Sequence, residues 1–151
     1  MNCYIASSNQ WFERYRDDVA LPKHKFLPIS NPIDLEAVAL SSSPPDFIFF
    51  PHWNWRVPEE YFRNIKCILF HLAPLPYGRG GSPIQNLILR GFSSAPLCSL
   101  EMTEEMDAGA VYLKSEIDLN GSLEEIFKRM ADAVSAQILE IIKGRIKPVK
   151  Q

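Results

Sequence analysis

The chain has 151 residues, of which 46% are hydrophobic, and its formal net charge is −2 from 16 basic and 18 acidic side chains. This length suits one domain and this apolar content suits a buried core, so the composition excludes a disordered chain. The balanced charge, without a dense run of Lys and Arg, argues against a nucleic-acid partner.

The first third of the chain predicts short strands that alternate with short helices. Apolar runs predict strands at residues 3–6 and, interrupted by a proline, at 25–29. Helices are predicted at residues 10–18 and 34–40, each behind residues that favour a helix start. Residues 41–45, rich in serine and proline, predict a loop.

Two continuous apolar runs, at residues 47–50 and 67–70, predict strands that are buried on both faces, as in a parallel sheet. We expect Pro51 to end the first strand and a short helix to follow at residues 58–62. The second strand leads into residues 71–83, whose prolines and glycines predict a tightly fixed loop.

The last third predicts a helix at residues 84–89 and two strands, at 96–102 and 110–117, joined by a turn. A capping box at residues 122–125 starts a long amphipathic helix that Gly144 ends. Alternating strands and helices predict an α/β fold: a single Rossmann-like domain of three layers with a mostly parallel sheet.

We assign this domain to residues 1–144 and expect the basic tail, residues 145–151, to be solvated. Residues 1–8 do not read as a signal peptide and no run is long enough to span a membrane, so we predict a cytoplasmic protein. The cysteines lie far apart in apolar stretches and predict buried reduced thiols rather than metal ligands: Cys3, Cys67 and Cys98.

Ligands in parallel sheets bind beyond the carboxyl ends of the strands, where His71 and the segment after residue 50 lie. A single histidine there is more often structural than catalytic, but its constrained loop favours a site. Asp107, in the turn before Gly109, is either an ordinary turn residue or the carboxylate partner of an imidazole. The tryptophans at 53 and 55 fit a strand face or a pocket wall.

Residues 71–85 carry a histidine, a Leu-Pro pair, an Arg-Gly pair and a Pro-Ile pair in that order. This pattern resembles the signature loop of the formyltetrahydrofolate-dependent formyltransferases. Residues 102–112, with an aspartate one residue before a glycine, resemble the second motif of that family, and residues 49–58 resemble the segment before the signature. The resemblance covers about residues 46–118.

The resemblance implies the formyltransferase fold, trimmed on its N-terminal side, and transfer of a formyl group from 10-formyltetrahydrofolate to an amine without a metal. It implies that His71 faces the oxyanion that forms when the amine attacks. It also implies that Asp107 orients His71 and relays the proton of the amine.

The resemblance and the flat pterin ring imply a set of cofactor contacts in the aromatic segment and the second motif: Phe50, His52, Trp53, Asn54 and Gly109. Substrate or loop roles are expected along the signature loop: Tyr77, Arg79, Gly80, Ser82, Gln85 and Asn86. For Arg79 we favour a bond to backbone carbonyls of the loop over a bond to an anionic substrate.

One position departs from the family pattern. Members carry an asparagine two residues before the histidine, and this chain has Leu69, which has no hydrogen bond to offer an oxyanion. Asn54, His52 or Asn86 could replace the donor. Otherwise the chain is a weak or silent module that binds folate or sugar.

The acceptor is predicted from resemblance alone. Residues 78–86 resemble small bacterial formyltransferases of surface-sugar pathways such as those for pseudaminic-type acids, which favours an amino sugar, possibly nucleotide-linked. Methionyl-tRNA and glycinamide ribonucleotide remain the alternatives. A trimmed domain could also form a homodimer, and we expect neither a membrane nor a nucleic-acid partner.

Overall fold

The computed structural model describes residues 1–81 and 83–151. The strands are β1 (Cys3–Ser7), β2 (Phe26–Ile29), β3 (Phe47–His52), β4 (Lys66–Leu72), β5 (Ser94–Glu101) and β6 (Val111–Asp118). The helices are α1 (Trp11–Tyr15), α2 (Pro32–Ala39), α3 (Glu59–Asn64), α4 (Pro83–Leu89) and α5 (Leu123–Ile142). Every predicted strand and helix therefore has a counterpart, and the predicted α/β class is confirmed.

The strands form a six-stranded sheet in the order β2-β1-β3-β4-β5-β6. Strands β2, β1, β3 and β4 are parallel to one another, while β4 pairs with β5, and β5 with β6, in antiparallel fashion. After β1 the chain forms β2 on one side of β1, and it then crosses over to form β3 on the other side of β1. This reversal of direction creates a switch point between β1 and β3, where parallel sheets leave a crevice.

Helices cover both faces of the sheet because successive strand residues point to opposite sides. Ile68 and Phe70 of β4 belong to a core cluster that includes Ile138 of α5. Cys67, just before Ile68 in the strand, belongs to a second cluster with Leu35 of α2 and Tyr61 of α3. The result is the predicted three-layer arrangement.

The final helix follows its sequence signals closely. The Ser122 side chain accepts a hydrogen bond from the Glu125 backbone, and the Glu125 side chain accepts one from the Ser122 backbone. These two hydrogen bonds satisfy two backbone N–H groups that would otherwise have no partner at the start of the helix. The helix ends just before Gly144, whose φ of 70° is the left-handed conformation that glycine adopts easily.

The prediction that Pro51 ends its strand is wrong, because β3 continues to His52. Pairing between β1 and β3 skips a residue, so that Ile5 is opposite Phe49 and Ser7 is opposite His52. Proline has no N–H to give to a ladder, and this irregularity leaves Pro51 out of the paired positions.

The tail is exposed at five of its seven residues, as expected, but it is also joined to the sheet. Val149 and Val111 of β6 form an antiparallel bridge, with N–H to O distances of 2.8 and 2.9 Å in the two directions. Since β6 is the edge of the sheet, the tail covers an edge that would otherwise offer unpaired backbone groups. The last residue, Gln151, reaches the loops around the site described below.

The three cysteines are buried and carry free thiols, as predicted. Burial raises the pKa of Cys67 to about 12, so its thiol stays protonated and unreactive. Within residues 1–81 and 83–151 we find neither a metal-type cluster of His, Cys, Asp and Glu side chains nor a helix long and apolar enough to cross a membrane.

Candidate active site

A cleft of about 670 Å³ runs from the switch point, past the end of β4, to the turn between β5 and β6. Asn9, just after β1, and His52, at the end of β3, line its first part. His71 of β4 and Asp107 of the β5–β6 turn line its last part. The topology thus collects into one cleft polar groups that lie far apart in the chain.

His71 and Asp107 face each other, with 3.6 Å between Nδ1 of the imidazole and Oδ2 of the carboxylate. Both side chains are largely buried, at 10% and 11% exposed. Coulomb attraction between such groups is stronger in a partly buried cleft than in water. The geometry therefore brings together the imidazole and the carboxylate on which the sequence-based mechanism depends.

The signature loop holds both members of this pair through its backbone. Nε2 of His71 is 2.8 Å from the carbonyl oxygen of Gly78, and the N–H of Gly80 donates to Oδ2 of Asp107 at 2.8 Å. A carbonyl only accepts hydrogen bonds, so Nε2 carries a hydrogen and Nδ1 is the nitrogen turned toward the carboxylate. Nδ1 therefore faces the carboxylate just beyond hydrogen-bond distance, and we call this arrangement of His71, Asp107, Gly78 and Gly80 the charged wall.

Asp107 lies in an uncommon backbone conformation, with a φ of 53°. Aspartate tolerates the left-handed region better than most residues, but the conformation still needs support from its surroundings. Nearby Gly109 is buried, and a Cβ there would lie 1.9 Å from the carbonyl oxygen of Glu101. The glycine of the second motif therefore permits the close approach of the turn to β5.

Arg79 has different partners from the predicted ones. Its guanidinium bonds the carboxylate of Glu105 at 3.2 Å and the side-chain oxygen of Gln151 at 3.1 and 3.3 Å, rather than the backbone carbonyls of the loop residues that the structure describes. Arg79 therefore fastens the signature loop to the β5–β6 turn and to the C-terminal tail.

Three aromatic rings, Phe50, Trp53 and Trp55, also line the cleft and form what we call the aromatic wall. Trp53 packs edge to face on Phe50 and on Trp55, at centroid distances of 5.7 and 5.1 Å. Its Nε1 is buried and has no hydrogen-bond partner among the residues that the structure describes. A flat ring with polar edges would fit this wall, because it could stack on the indole or accept its N–H.

His52 lies behind this wall in a fixed network. The backbone N–H of Trp11 donates to Oδ1 of Asn9, so the amide nitrogen of Asn9, 3.3 Å from Nε2 of His52, is the donor. Nε2 is then unprotonated, and Nδ1 donates to Oγ of Ser8 at 2.8 Å. Burial lowers the pKa of His52, which keeps this ring neutral.

Leu69 lines the cleft and packs partly buried against two apolar clusters, so the position of the family asparagine is apolar here. Of the three candidate replacement donors, Asn54 and His52 line the cleft. Asn86 is exposed on α4 and does not belong to the lining.

The structure brings most of the predicted site residues to one place. Besides His71 and Asp107, six of them line the cleft: Phe50, His52, Trp53, Asn54, Gly80 and Gln85. Four others lie outside the lining: Tyr77, Arg79, Asn86 and Gly109. Ser82 falls outside the described residues.

Sequence reasoning missed three groups that contact the site or its supports: Asn9, Glu105 and Gln151. Asn9 was considered only as a helix cap, although its position after β1 is where a parallel sheet binds ligands. Glu105 and Gln151 carry no pattern that distinguishes them from other surface residues.

Comparisons with known proteins agree with this geometry. A methionyl-tRNA formyltransferase of Clostridium acetobutylicum is 33% identical over 135 residues, which is 83% of this chain and 44% of that protein. The solved methionyl-tRNA formyltransferase from Clostridium thermocellum is 36% identical and has a TM-score of 0.88, and the match covers 100% of this chain and 68% of that one. No family model matches the chain.

A further solved structure, the formyltransferase PseJ from Anoxybacillus kamchatkensis in complex with UDP-4,6-dideoxy-4-formamido-L-AltNAc and tetrahydrofolate, shares the fold. It is 16% identical with a TM-score of 0.73, and the match covers 100% of this chain and 82% of that one. The chain spans less than half the length of the curated relatives it matches. From the two methionyl-tRNA formyltransferase matches we conclude that the chain belongs to the formyltransferase family.

Proposed function

We propose that the chain, through residues 1–144, transfers a formyl group from 10-formyltetrahydrofolate to an amine. The observation that carries this proposal is the His71–Asp107 pair, 3.6 Å apart in a cleft that three aromatic rings also line. Family membership alone would leave open whether this chain keeps a usable site. The pair and the cleft supply the chemical groups that formyl transfer needs.

In the proposed mechanism the charged wall handles both charge and proton. When the amine attacks the formyl carbon, negative charge grows on the formyl oxygen. Both ring nitrogens of His71 face protein groups, so the imidazole, once protonated on Nδ1, would stabilise this charge through its own positive charge. Asp107 accepts the proton that the amine loses; as the bond between the formyl carbon and N10 of the folate breaks, this proton passes to N10 and tetrahydrofolate leaves. Gly78 and Gly80 keep both side chains in place, so little rearrangement is needed during the reaction.

The aromatic wall is proposed to bind the folate. Trp53, packed against the buried Phe50, would offer its ring to the pterin, and its unpartnered Nε1 would donate to the folate once the groups that bury it move aside. The complex of PseJ with tetrahydrofolate supports a folate site in this fold. 10-Formyltetrahydrofolate would supply the formyl group there. The lowered pKa of His52 supports a role for this side chain as a neutral supporting group.

We propose an amino sugar, free or nucleotide-linked, as the acceptor. The rim of the cleft carries Arg56 together with two carboxylates, Glu59 and Glu104, both of which pair with Arg63. Among the described residues the rim therefore has no positive surplus, whereas a polyanion such as tRNA is bound through unpaired Lys and Arg. The sugar nucleotide in the PseJ complex supports this class of acceptor.

Methionyl-tRNA is the second candidate acceptor. It is favoured by relatives above 30% identity that bear this name, among them the two described above. The two candidates differ in what they need from the protein, since tRNA requires a basic surface and a sugar requires only a polar pocket.

The test is to incubate the protein with 10-formyltetrahydrofolate and a panel of amino sugars, with methionyl-tRNA as a separate arm. Formylated products are identified by mass spectrometry. We expect one amino sugar to be formylated, and we expect His71→Ala and Asp107→Ala to abolish the product.

Each alternative gives a distinct result. Product with methionyl-tRNA alone would replace the amino sugar as acceptor. Binding of tetrahydrofolate without any transfer would identify a silent module, as Leu69 allows. Formyl transfer that neither substitution slows would refute the mechanism.

A further inference from the structure

We infer that Gln151 is a positioning residue for the His71–Asp107 pair, an inference that rests on the proposed function. Its side-chain nitrogen donates to the carbonyl oxygens of Asp107 and Gly109, at 2.7 and 2.9 Å. Its side-chain oxygen accepts from two nitrogens of Arg79, at 3.1 and 3.3 Å. One amide thus joins the aspartate turn to the signature loop.

Arg79 lies in the chain between the two glycines whose backbones hold the His71–Asp107 pair. The residue before it, Gly78, bonds His71 through its carbonyl, and the residue after it, Gly80, bonds Asp107 through its N–H. A displacement of the Arg79 backbone would therefore move at least one of these neighbours. Gln151 restrains Arg79 from the tail, and through it the spacing of imidazole and carboxylate.

The other end of the same amide supports the backbone of the aspartate itself. Asp107 has a φ of 53°, a backbone conformation that aspartate tolerates but that is more stable when its surroundings support it. The two hydrogen bonds from Gln151 fix the carbonyls on either side of Ala108. Without them, we expect the turn to relax and the carboxylate to move away from Nδ1 of His71.

The tail has its own anchor, so it can transmit this restraint. Val149, two residues before Gln151, is bonded in both directions to Val111 of β6. Glu105 adds a second link from Arg79 to the same turn, at 3.2 Å. The tail, the turn and the signature loop therefore form one connected unit on the side of the cleft that carries the charged wall.

The experiment compares Gln151→Ala with Lys150→Ala, an adjacent exposed position, in the full chain. We expect Gln151→Ala to lower kcat about tenfold and to leave KM for the folate and the amine within about twofold, because it disturbs alignment rather than binding. Gln151→Glu keeps an acceptor for Arg79 but loses both donors to the turn, so it should not restore kcat.

Amide hydrogen exchange followed by NMR provides a readout that does not depend on activity. In Gln151→Ala the N–H of Gly80, which bonds Asp107, should exchange faster, while core amides such as that of Ile48 keep their rates. If Gln151→Ala matches Lys150→Ala in both readouts, the inference is overturned. Faster exchange throughout the core would overturn it too, because it would show a general loss of stability.

The two proposals fail separately. If the unmodified protein transfers no formyl group, the proposed function is lost, yet the exchange of Gly80 still supports or overturns the link between the tail and the pair. If the protein is active and Gln151→Ala alters neither kcat nor the exchange of Gly80, only the positioning role is lost.

Discussion

The aromatic wall and the charged wall of the cleft differ in whether their hydrogen-bonding groups have partners. The aromatic wall consists of rings that pack on one another and includes a donor, Nε1 of Trp53, with no partner in the described part of the chain. In the charged wall, by contrast, the hydrogen-bonding groups of His71 and Asp107 are engaged with Gly78, Gly80 and each other.

This difference indicates a division of work. A surface with a vacant donor is suited to binding, since a ligand gains what the protein lacks. A surface whose groups already hold one another is suited to chemistry, because its dipoles need not reorganise during the reaction. Changes on the charged wall should therefore act mainly on kcat, and changes on the aromatic wall mainly on folate affinity.

The largest effect is expected for Asp107→Asn. The amide keeps the shape of the side chain and an oxygen for the Gly80 N–H, but it cannot accept a proton, so kcat should fall by about 10²–10⁴. Steady-state kinetics and tetrahydrofolate binding measured together should show the loss in kcat alone. Asp132→Asn, at an exposed position on α5, is the control. A change confined to KM would break the division between the walls.

The next largest effect is expected for Gly109→Ala, which tests the rigidity of the turn that carries Asp107. The added Cβ would lie 1.9 Å from the carbonyl oxygen of Glu101, so the turn must move. We expect the free energy of unfolding to fall by about 3 kcal/mol, at the upper end for overpacking. In Gly81→Ala the Cβ meets nothing within 4 Å, so urea denaturation should show little change. Equal effects of the two substitutions would contradict this account of the turn.

Trp53→Phe sharpens the view of the aromatic wall. It keeps an aromatic ring but removes the vacant N–H together with part of the indole, so we expect the Kd for tetrahydrofolate to rise about 3- to 10-fold, mainly from the loss of one hydrogen bond. Trp53→Leu also removes the ring and should weaken binding further. Calorimetry measures both. An unchanged Kd in Trp53→Phe would mean that the folate does not use this donor.

The smallest effect concerns His52. Burial lowers its pKa below the ordinary value of 6.5, so below about pH 6.5 the unfolded chain binds a proton that the folded protein resists. The stability that the neutral His52 ring contributes is therefore fully present above that pH, and it is lost as the pH falls through the lowered pKa. The free energy of unfolding, measured by urea denaturation, should decrease less between about pH 7.5 and about pH 5.5 in His52→Gln than in the unmodified protein. His24→Gln, at an exposed site, should behave like the unmodified protein.

Local patterns predicted most of the fold, because they depend on neighbouring residues. The capping box before α5 and the buried runs of β3 and β4 are examples. The continuation of β3 through Pro51 could not be predicted in this way, since it depends on a skipped pairing in β1, more than 40 residues away in the chain.

The site was predictable only in part. His71 and Asp107 were identified from the family resemblance, and no periodicity brings residues 36 positions apart to within 3.6 Å. The role of Gly109 in close packing depends on the position of Glu101, and the contacts of Gln151 depend on a tail that returns to β6. Such contacts between distant segments leave no local pattern in the sequence.

The most direct test of the central claim is a double-mutant cycle on His71 and Asp107, with kcat/KM for formyl transfer measured in His71→Ala, Asp107→Ala and the double variant. If imidazole and carboxylate act as one unit, the double variant should lose little more than the more damaging single substitution. Losses that multiply would contradict a shared role for the pair, as would a single variant that retains full activity.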